Sequence, residues 1–511
     1  MRAIHRMVGA VGLAGLVGCD VGPKYLRPAV SAPAAFKEAS REAYRAFPNG
    51  TWRPAQPQDS RIKGKWWAIF GEPELDALED RLDINNQTIA QYFQNFMAAR
   101  AQVNEARAGF FPTATVGPSY STAGAGGSAA RASVASGGPT GFAATSSPLL
   151  TSTYSLPIEA TWAPDLWDRV RNTVREFQYA AQVSAADLEN ERLTEQAALA
   201  QYFFELRGQD ALQGLYDRTI AVDRQALDLT RAESETGVGT EEAVAQAEVT
   251  LETATATAIG IATNRALYEH AIATLIGQPA STFSMPVKAL TTRAPAIPIG
   301  IPSDVLQRRP DVAAAERTLA EANALIGVEK AAYYPSLNLA GSVGFESSSL
   351  ATLLSLPSLF WSLGASAAET IFDGGLRGAT VAQYTALYRA DVASYRQTVL
   401  MAFQQVEDYL ATLRVLSQQI EQEDRAIKAA ERYVEIAMAQ YQTGIDPYLS
   451  VISAQTILLA DQQAFVTLRV GEMTAAVQLV QALGGGWDVA QLPAAGAITS
   501  DEAAHRMSNT R

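Results

Sequence analysis

Leu166-Trp167-Asp168, Thr236-Gly237 and Ile276-Gly277 return later in the chain as Ile371-Phe372-Asp373, Thr443-Gly444 and Leu483-Gly484. The last interval, from 237 to 277 and from 444 to 484, is 40 residues in both halves. The interval before it is 69 residues from 168 to 237 and 71 from 373 to 444, the extra pair being the Gly374-Gly375 turn. Phe111-Pro112 and Tyr334-Pro335 extend the correspondence upstream. Spacing kept this closely marks a structural duplication, which has to be recognised before any fold is assigned.

Between these landmarks long Pro-free stretches alternate with short β-like ones. Asp165 to about Ser234 contains no Pro, which at about 1.5 Å per residue predicts roughly 100 Å of helix. Gly378 to Gln442 repeats this. Turns at Thr236–Thr240 and Gly444-Ile445-Asp446 lead into return helices, the first with Glu241 and Glu242 where the helix dipole favours acids. Val399, Phe403, Val406 and Leu410 follow three-and-four spacing, and Ala180, Ala181, Ala185 and Ala186 are small. Both suit long antiparallel helix contacts, and helices this long need lateral partners.

Ser336-Leu337-Asn338-Leu339 and Thr153-Tyr154-Ser155-Leu156 alternate polar and apolar residues, as tilted membrane strands do. Tyr120, Tyr154, Trp162, Phe345, Phe360 and Trp361 accompany the strands, as aromatics do at membrane interfaces and also in ordinary cores. Four strands cannot close a barrel alone, and lipid does not tolerate open edges. The economical solution is a barrel shared among subunits.

The expected organisation is a signal peptide at 1–18, an extended Pro-rich segment at 19–72, and a first repeat at 73–278. That repeat has strands at about 113–122 and 153–163 and helices at about 165–235 and 240–276, its opening helix running from Pro73 to Gly109. A linker at 279–302 precedes a second repeat at 303–487, with a helix capped by Ser303 or Asp304 and reaching Ala332, strands at about 336–346 and 360–372, and helices at about 376–442 and 447–483. A disordered tail covers 488–511. The Ala/Gly/Ser-rich stretch between the first two strands reads as an exposed loop.

The N-terminus has Arg2 and Arg6, an apolar run from Met7 to Val17, then Leu16-Val17-Gly18-Cys19. This reads as a lipoprotein signal, with Cys19 as lipid anchor and no cofactor beyond that covalent lipid. Lipid contributes about 0.8 kcal/mol per buried CH₂, so a triacylated Cys19 anchors firmly. The ordinary alternative is a plain signal peptide with an incidental Cys. A net charge of −13 speaks against nucleic-acid binding. His5, His270 and His505 are far apart in sequence, which speaks against histidine-based catalysis or metal binding.

Several motifs resemble those of the TolC-like outer membrane factors, in their NodT-like lipoprotein branch. They are Val21-Gly22-Pro23-Lys24-Tyr25 after Cys19, Trp66-Trp67, Leu306-Gln307-Arg308-Arg309-Pro310-Asp311-Val312, Tyr333-Tyr334-Pro335, Phe372-Asp373-Gly374-Gly375 and Tyr441-Gln442-Thr443-Gly444. The resemblance covers nearly all of residues 19–487. It implies an α+β, mostly α fold: a homotrimer with a 12-stranded outer-membrane barrel, four strands per chain, continuous with a periplasmic α-barrel. It also implies an exit duct for efflux, with a periplasmic adaptor and an inner-membrane transporter, of resistance-nodulation-division type, as partners. Gly237, Val238, Gly239, Gly444, Ile445 and Asp446 fall at the adaptor-contact tips; a plain helical hairpin describes the same turns. Leu449, Ser453 and Tyr441 fall at the periplasmic gate.

Two positions depart from the family. Ser453 stands where relatives often carry an Asp ring, and Ser450 replaces an acidic residue seen in some, so a hydrophobic Leu449 constriction with a polar Ser453 ring is expected. Asp20 follows Cys19 directly; in enteric bacteria such an Asp often retains lipoproteins in the inner membrane, yet barrel insertion points to the outer membrane.

Three other readings compete. An enzyme would need its carboxylates joined by other groups, whereas Glu195, Glu205, Glu407 and Asp408 sit singly or paired in long helices, and Glu431 and Glu435 have no His or Cys beside them. A structural or adaptor-like periplasmic lipoprotein would not need duplicated strand pairs. A diffusion porin would need more strands and no such helices. The cargo is not legible, although 8 Met and 3 His weigh against a dedicated copper or silver route.

Overall fold

A computed structural model of the chain describes residues 20–30, 32–33, 35–39, 64–125, 149–297, 305, 307–501, 503 and 507. Cys19, Leu306, Ser303, Asp304 and most of the Ala/Gly/Ser-rich stretch lie outside the described residues. The described part forms two compact units, and both halves of the duplication contribute to each.

The first unit includes residues 101–177 and 320–388. It holds one antiparallel sheet of β1 (Thr113–Val116), β2 (Ser119–Ala125), β3 (Leu149–Trp162), β4 (Ser336–Ser347) and β5 (Leu359–Ala368). β1 and β2 both pair with β3, β3 with β4, and β4 with β5. The sheet is therefore four strands wide, and its two edges have no partner among the described residues.

The strand expected over 113–122 is two strands. Pro118 has no N–H for the ladder, and the chain resumes after Gly117 donates to the carbonyl of Pro157 at 3.3 Å. The strand expected over 360–372 ends at Ala368. There Glu369 and Asp373 pair with Arg377, and Asp373 accepts from the Gly375 and Arg377 N–H groups, which starts the next helix. Where the halves meet in this unit, Trp167 stacks on Tyr334 at 4.8 Å and donates to the carbonyl of Pro335 at 2.8 Å.

The second unit includes residues 27–100, 178–319 and 389–511. Its opening segment is two helices, α1 (Pro73–Asn85) and α2 (Gln87–Ala108), rather than the single helix expected. Asn86 causes the break. Its backbone is extended, its Oδ1 caps Ile89 at 2.9 Å, and its Nδ2 donates to the carbonyl of Leu275. Two 67-residue helices, α3 (Arg169–Glu235) and α6 (Leu376–Gln442), pass from the first unit into this one. Each is followed by a 35-residue return helix, α4 (Glu241–Leu275) and α7 (Tyr448–Ala482). Helix α5 (Pro310–Ala331) opens the second half as α2 opens the first.

Trp66, Phe70, Phe203 and Phe204 form an aromatic cluster in this unit's core, with Leu75, Leu82 and Leu199 also fully buried. The linker lies on polar groups of the long helices. Arg207 donates to the Pro286 carbonyl at 2.7 Å, Arg265 donates to that of Met285, and buried Asp210 accepts from the Lys288 N–H. The tail, expected to be disordered over 488–511, is held in place where it is described: Ile498 is fully buried and Arg100 donates to the carbonyls of Ile498, Thr499 and Ser500.

Candidate functional site

The two helix-to-helix turns are built alike. After α3, Val238 and Gly239 donate N–H bonds to the Glu233 carbonyl, and Gly237 donates to that of Ser234. After α6, Ile445 donates to the Gln440 carbonyl at 2.9 Å and Gly444 to that of Tyr441 at 2.9 Å. Gly237 and Gly444 have φ of 80° and 72°, the left-handed conformation that closes a helix this way. Thr236 and Thr443 each fold their hydroxyl back onto carbonyls three and four residues earlier. Thr240 then caps α4 by accepting from Ala243. At the apex Val238 is 82% and Ile445 71% exposed, with Gly237 and Gly444 also exposed and Gly239 and Asp446 half-buried.

Behind the turns the hairpins pack through one cluster that includes Leu227, Leu251, Tyr448, Val451 and Ile452. Tyr441 lies at its border, edge-on to Tyr448 at 5.0 Å, and donates its hydroxyl to the carboxylate of Glu233. Burial raises the Tyr441 pKa, and the Glu233 bond and charge add to the rise. Burial pushes Tyr448 up to about 12, helped by the charges of Asp223 and Glu233. Asp223 is buried and its Oδ2 has no partner among the described residues; burial raises its pKa.

Leu449 and Ser453 fall on the other face of α7. Both are exposed, and the Ser453 hydroxyl donates to the Leu449 carbonyl at 2.9 Å. They therefore share one stripe, while Tyr441 is turned inward among the hairpins. The Tyr441–Glu233 bond joins the two halves, and Glu233 was not among the gate residues read from the sequence. Its only signal was positional: Glu233 precedes Gly237 by four residues, as Gln440 precedes Gly444.

The sheet of the first unit has two faces of opposite chemistry. The register puts Tyr154, Leu156, Ile158, Trp162, Val343, Phe345, Leu359, Trp361 and Leu363 on one face. The other carries Thr153, Ser155, Glu159, Ser342, Glu346 and Ser362, with the hydroxyls of Ser342 and Ser362 2.8 Å apart. Neighbouring Phe360 and Trp361 fall on opposite faces, so only Trp361 joins the apolar one. On that face Ile158 is 53%, Trp361 76% and Leu363 82% exposed. No helix among the described residues is long and apolar enough to cross a membrane, and none of their acidic, His and Cys side chains gather as a metal centre.

A model of the outer membrane efflux protein family matches residues 78–278 and 301–485. The chain is 29% identical over 484 residues to a probable efflux pump outer membrane protein, TtgC of Pseudomonas putida, covering 92% of this chain and 93% of the relative. It is 28% identical over 443 residues to the pyoverdine export outer membrane protein OpmQ of Pseudomonas aeruginosa, covering 85% and 90%. Among solved structures, the outer-membrane channel OprN superposes with a TM-score of 0.79 at 26% identity, over 92% of this chain and all of that one. The Campylobacter jejuni CmeC outer membrane channel superposes at 0.83 and 21% identity, over 96% and 99%, a likeness of fold alone. With the family model spanning both halves of the duplication, the chain belongs to the outer membrane efflux protein family.

Proposed function

We propose that this chain is the passive, gated exit duct of a tripartite efflux pump in the bacterial outer membrane. The observation that carries the reading is the four-strand-wide sheet, with an exposed apolar face, a hydroxyl-rich opposite face and two edges unpaired among the described residues. Exposed Trp361 and Leu363 suit hydrocarbon. Lipid requires every backbone N–H and C=O to be paired, so the edges must close against other copies. Three copies give 12 strand positions around a polar lumen. A structural lipoprotein without a channel has no use for such a sheet, and the chain's role is that of a conduit rather than a catalyst.

The finer assignments follow from this one. Val238 and Ile445 offer apolar contacts at the tips to a periplasmic adaptor, which connects to an inner-membrane transporter of resistance-nodulation-division type. Leu449, repeated by symmetry, narrows the periplasmic end, and Ser453 sets a polar ring one turn further. Cys19 carries the lipid anchor. Transport needs no cofactor, and nucleic acid has no part in it.

The test is single-channel conductance of the purified protein in a planar bilayer, beside chemical cross-linking. A trimer with small currents that rise in Leu449→Ala supports the duct. A monomer with no conductance, released as a soluble protein, overturns it.

A further inference from the structure

The connection between β4 and β5 inverts the polarity expected of a water-exposed loop. β4 follows α5 and β5 leads into α6, so this connection lies at the end of the sheet opposite those helices. It contains two short 3-10 turns, Leu350–Thr352 and Leu356–Ser358. The hydroxyls of Ser347, Thr352, Ser355 and Ser358 bond one another and the backbone. Ser347 and Thr352 are hydrogen-bonded at 2.7 Å, and Ser355 and Ser358 both donate to the Thr352 carbonyl, at 2.7 and 2.8 Å. Beside exposed Ser348, Ser349 and Thr352, the outside is dominated by leucines: Leu350 is 66%, Leu354 72% and Leu356 84% exposed. No residue from Ser347 to Ala368 is charged.

Hydroxyls paired within the segment, with leucines turned outward and no charge, suit surroundings that offer few hydrogen bonds. Monomeric soluble proteins rarely keep such patches bare. The patch also continues an apolar surface, because Leu359, three residues after Leu356, starts the β5 row of Leu359, Trp361 and Leu363.

We propose that Leu350, Leu354 and Leu356 form a knob that inserts into the acyl chains of the outer leaflet, extending the lipid contact of the strands past their ends. This rests on the barrel reading above. The occupant is lipid hydrocarbon; water and a second copy of the chain are the outcomes that would overturn it.

The experiment places a thiol-reactive environment-sensitive fluorophore at Leu354→Cys, and separately at Leu356→Cys and Leu363→Cys, in the trimer reconstituted into phosphatidylcholine vesicles. Parent protein treated with the same reagent is the blank for Cys19. Nitroxide-labelled lipid and aqueous iodide are the quenchers. The knob predicts that nitroxide lipid quenches positions 354 and 356 within about twofold of position 363, with little effect of iodide. Quenching at 363 by lipid but at 354 and 356 by iodide overturns the knob and leaves the barrel. Cross-linking of Leu354→Cys between copies by a short bis-maleimide also overturns the knob, since the leucines then seal against one another. Iodide quenching at all three positions overturns the barrel reading together with the knob.

Discussion

Arg309 donates a hydrogen bond to the carbonyl oxygen of Ala482 at 3.1 Å, and its counterpart in the other half is Asn86, which donates to Leu275 at 2.9 Å. In each half the residue just before a helix ties off the last turn of the return helix. The adjoining glycines make the approach possible. A Cβ on Gly277 would overlap the Asn85 carbonyl, and one on Gly484 that of Arg308. Arg309 also bonds Gln405 and pairs with Asp311. Arg309→Ala should therefore lower stability by about 2–3 kcal/mol, and Asn86→Ala by about 1 kcal/mol, a charged donor being worth more than a neutral one. Thermal unfolding followed by helical circular dichroism checks the order; equal effects would refute it.

Tyr441→Phe removes the hydroxyl that bonds Glu233 across the two halves. A bond to a charged acceptor contributes about 1.5–3 kcal/mol, so the closed-to-open ratio should fall by about 10- to 100-fold. Open probability in planar bilayers measures this, and no change would show that the bond persists on opening. Tyr448 holds its proton to about 12 in the fold against an ordinary 10.0. Its stabilisation is thus intact below pH 10 and lost as pH rises towards 12, which hydrogen exchange at the tips would report.

The stripe of Leu449 and Ser453 carries no carboxylate. If these residues line the gate as proposed, multivalent cations should block conductance only weakly, because a ring of hydroxyls lacks the field of a ring of charges. Ser453→Asp should introduce block that strengthens at low ionic strength. Strong block of the unmodified protein would contradict this.

Glu176 is raised to about 7 by burial and by the charges of Glu321 and Glu329. The folded form keeps this proton where the unfolded chain, near 4.5, has lost it. The associated stability is present below pH 4.5 and is lost as pH rises through 7. Because the side chain is only half-buried, solvent screening reduces the effect to on the order of 1–2 kcal/mol. Glu176→Gln should flatten the dependence of unfolding temperature on pH between 5 and 8; an unchanged slope would place its origin elsewhere.

The sequence made the repeats, the long helices and both turns legible because Pro-free runs and paired glycines leave local signals. Pro118 explains why one expected strand is two, through its missing N–H, and Asn86 why one expected helix is two, through its side-chain amide; pattern reading passes over both. The buried tail was missed because Ile498 is a lone apolar residue among Ala, Gly and Ser, and what orders it is Arg100, nearly 400 positions away. Leu449 and Ser453 are legible as gate positions only through the family resemblance; the structure adds that both are exposed on one stripe of α7. Glu233 could not be joined to Tyr441, since pairing between helices from different halves leaves no trace in spacing.

The edges at β1, β2 and β5, unpaired among the described residues, bear on how the proposed duct would reach its membrane. A single copy, or two, would carry bare backbone into hydrocarbon at several kcal/mol per group. For the duct proposed above, entry would therefore be all-or-none with respect to copy number, with a rate that depends steeply on the supply of folded chains. A modest drop in expression should cost a disproportionate share of mature ducts. Chains waiting for partners expose sticky strand edges, which makes the period before insertion the most aggregation-prone in the protein's life.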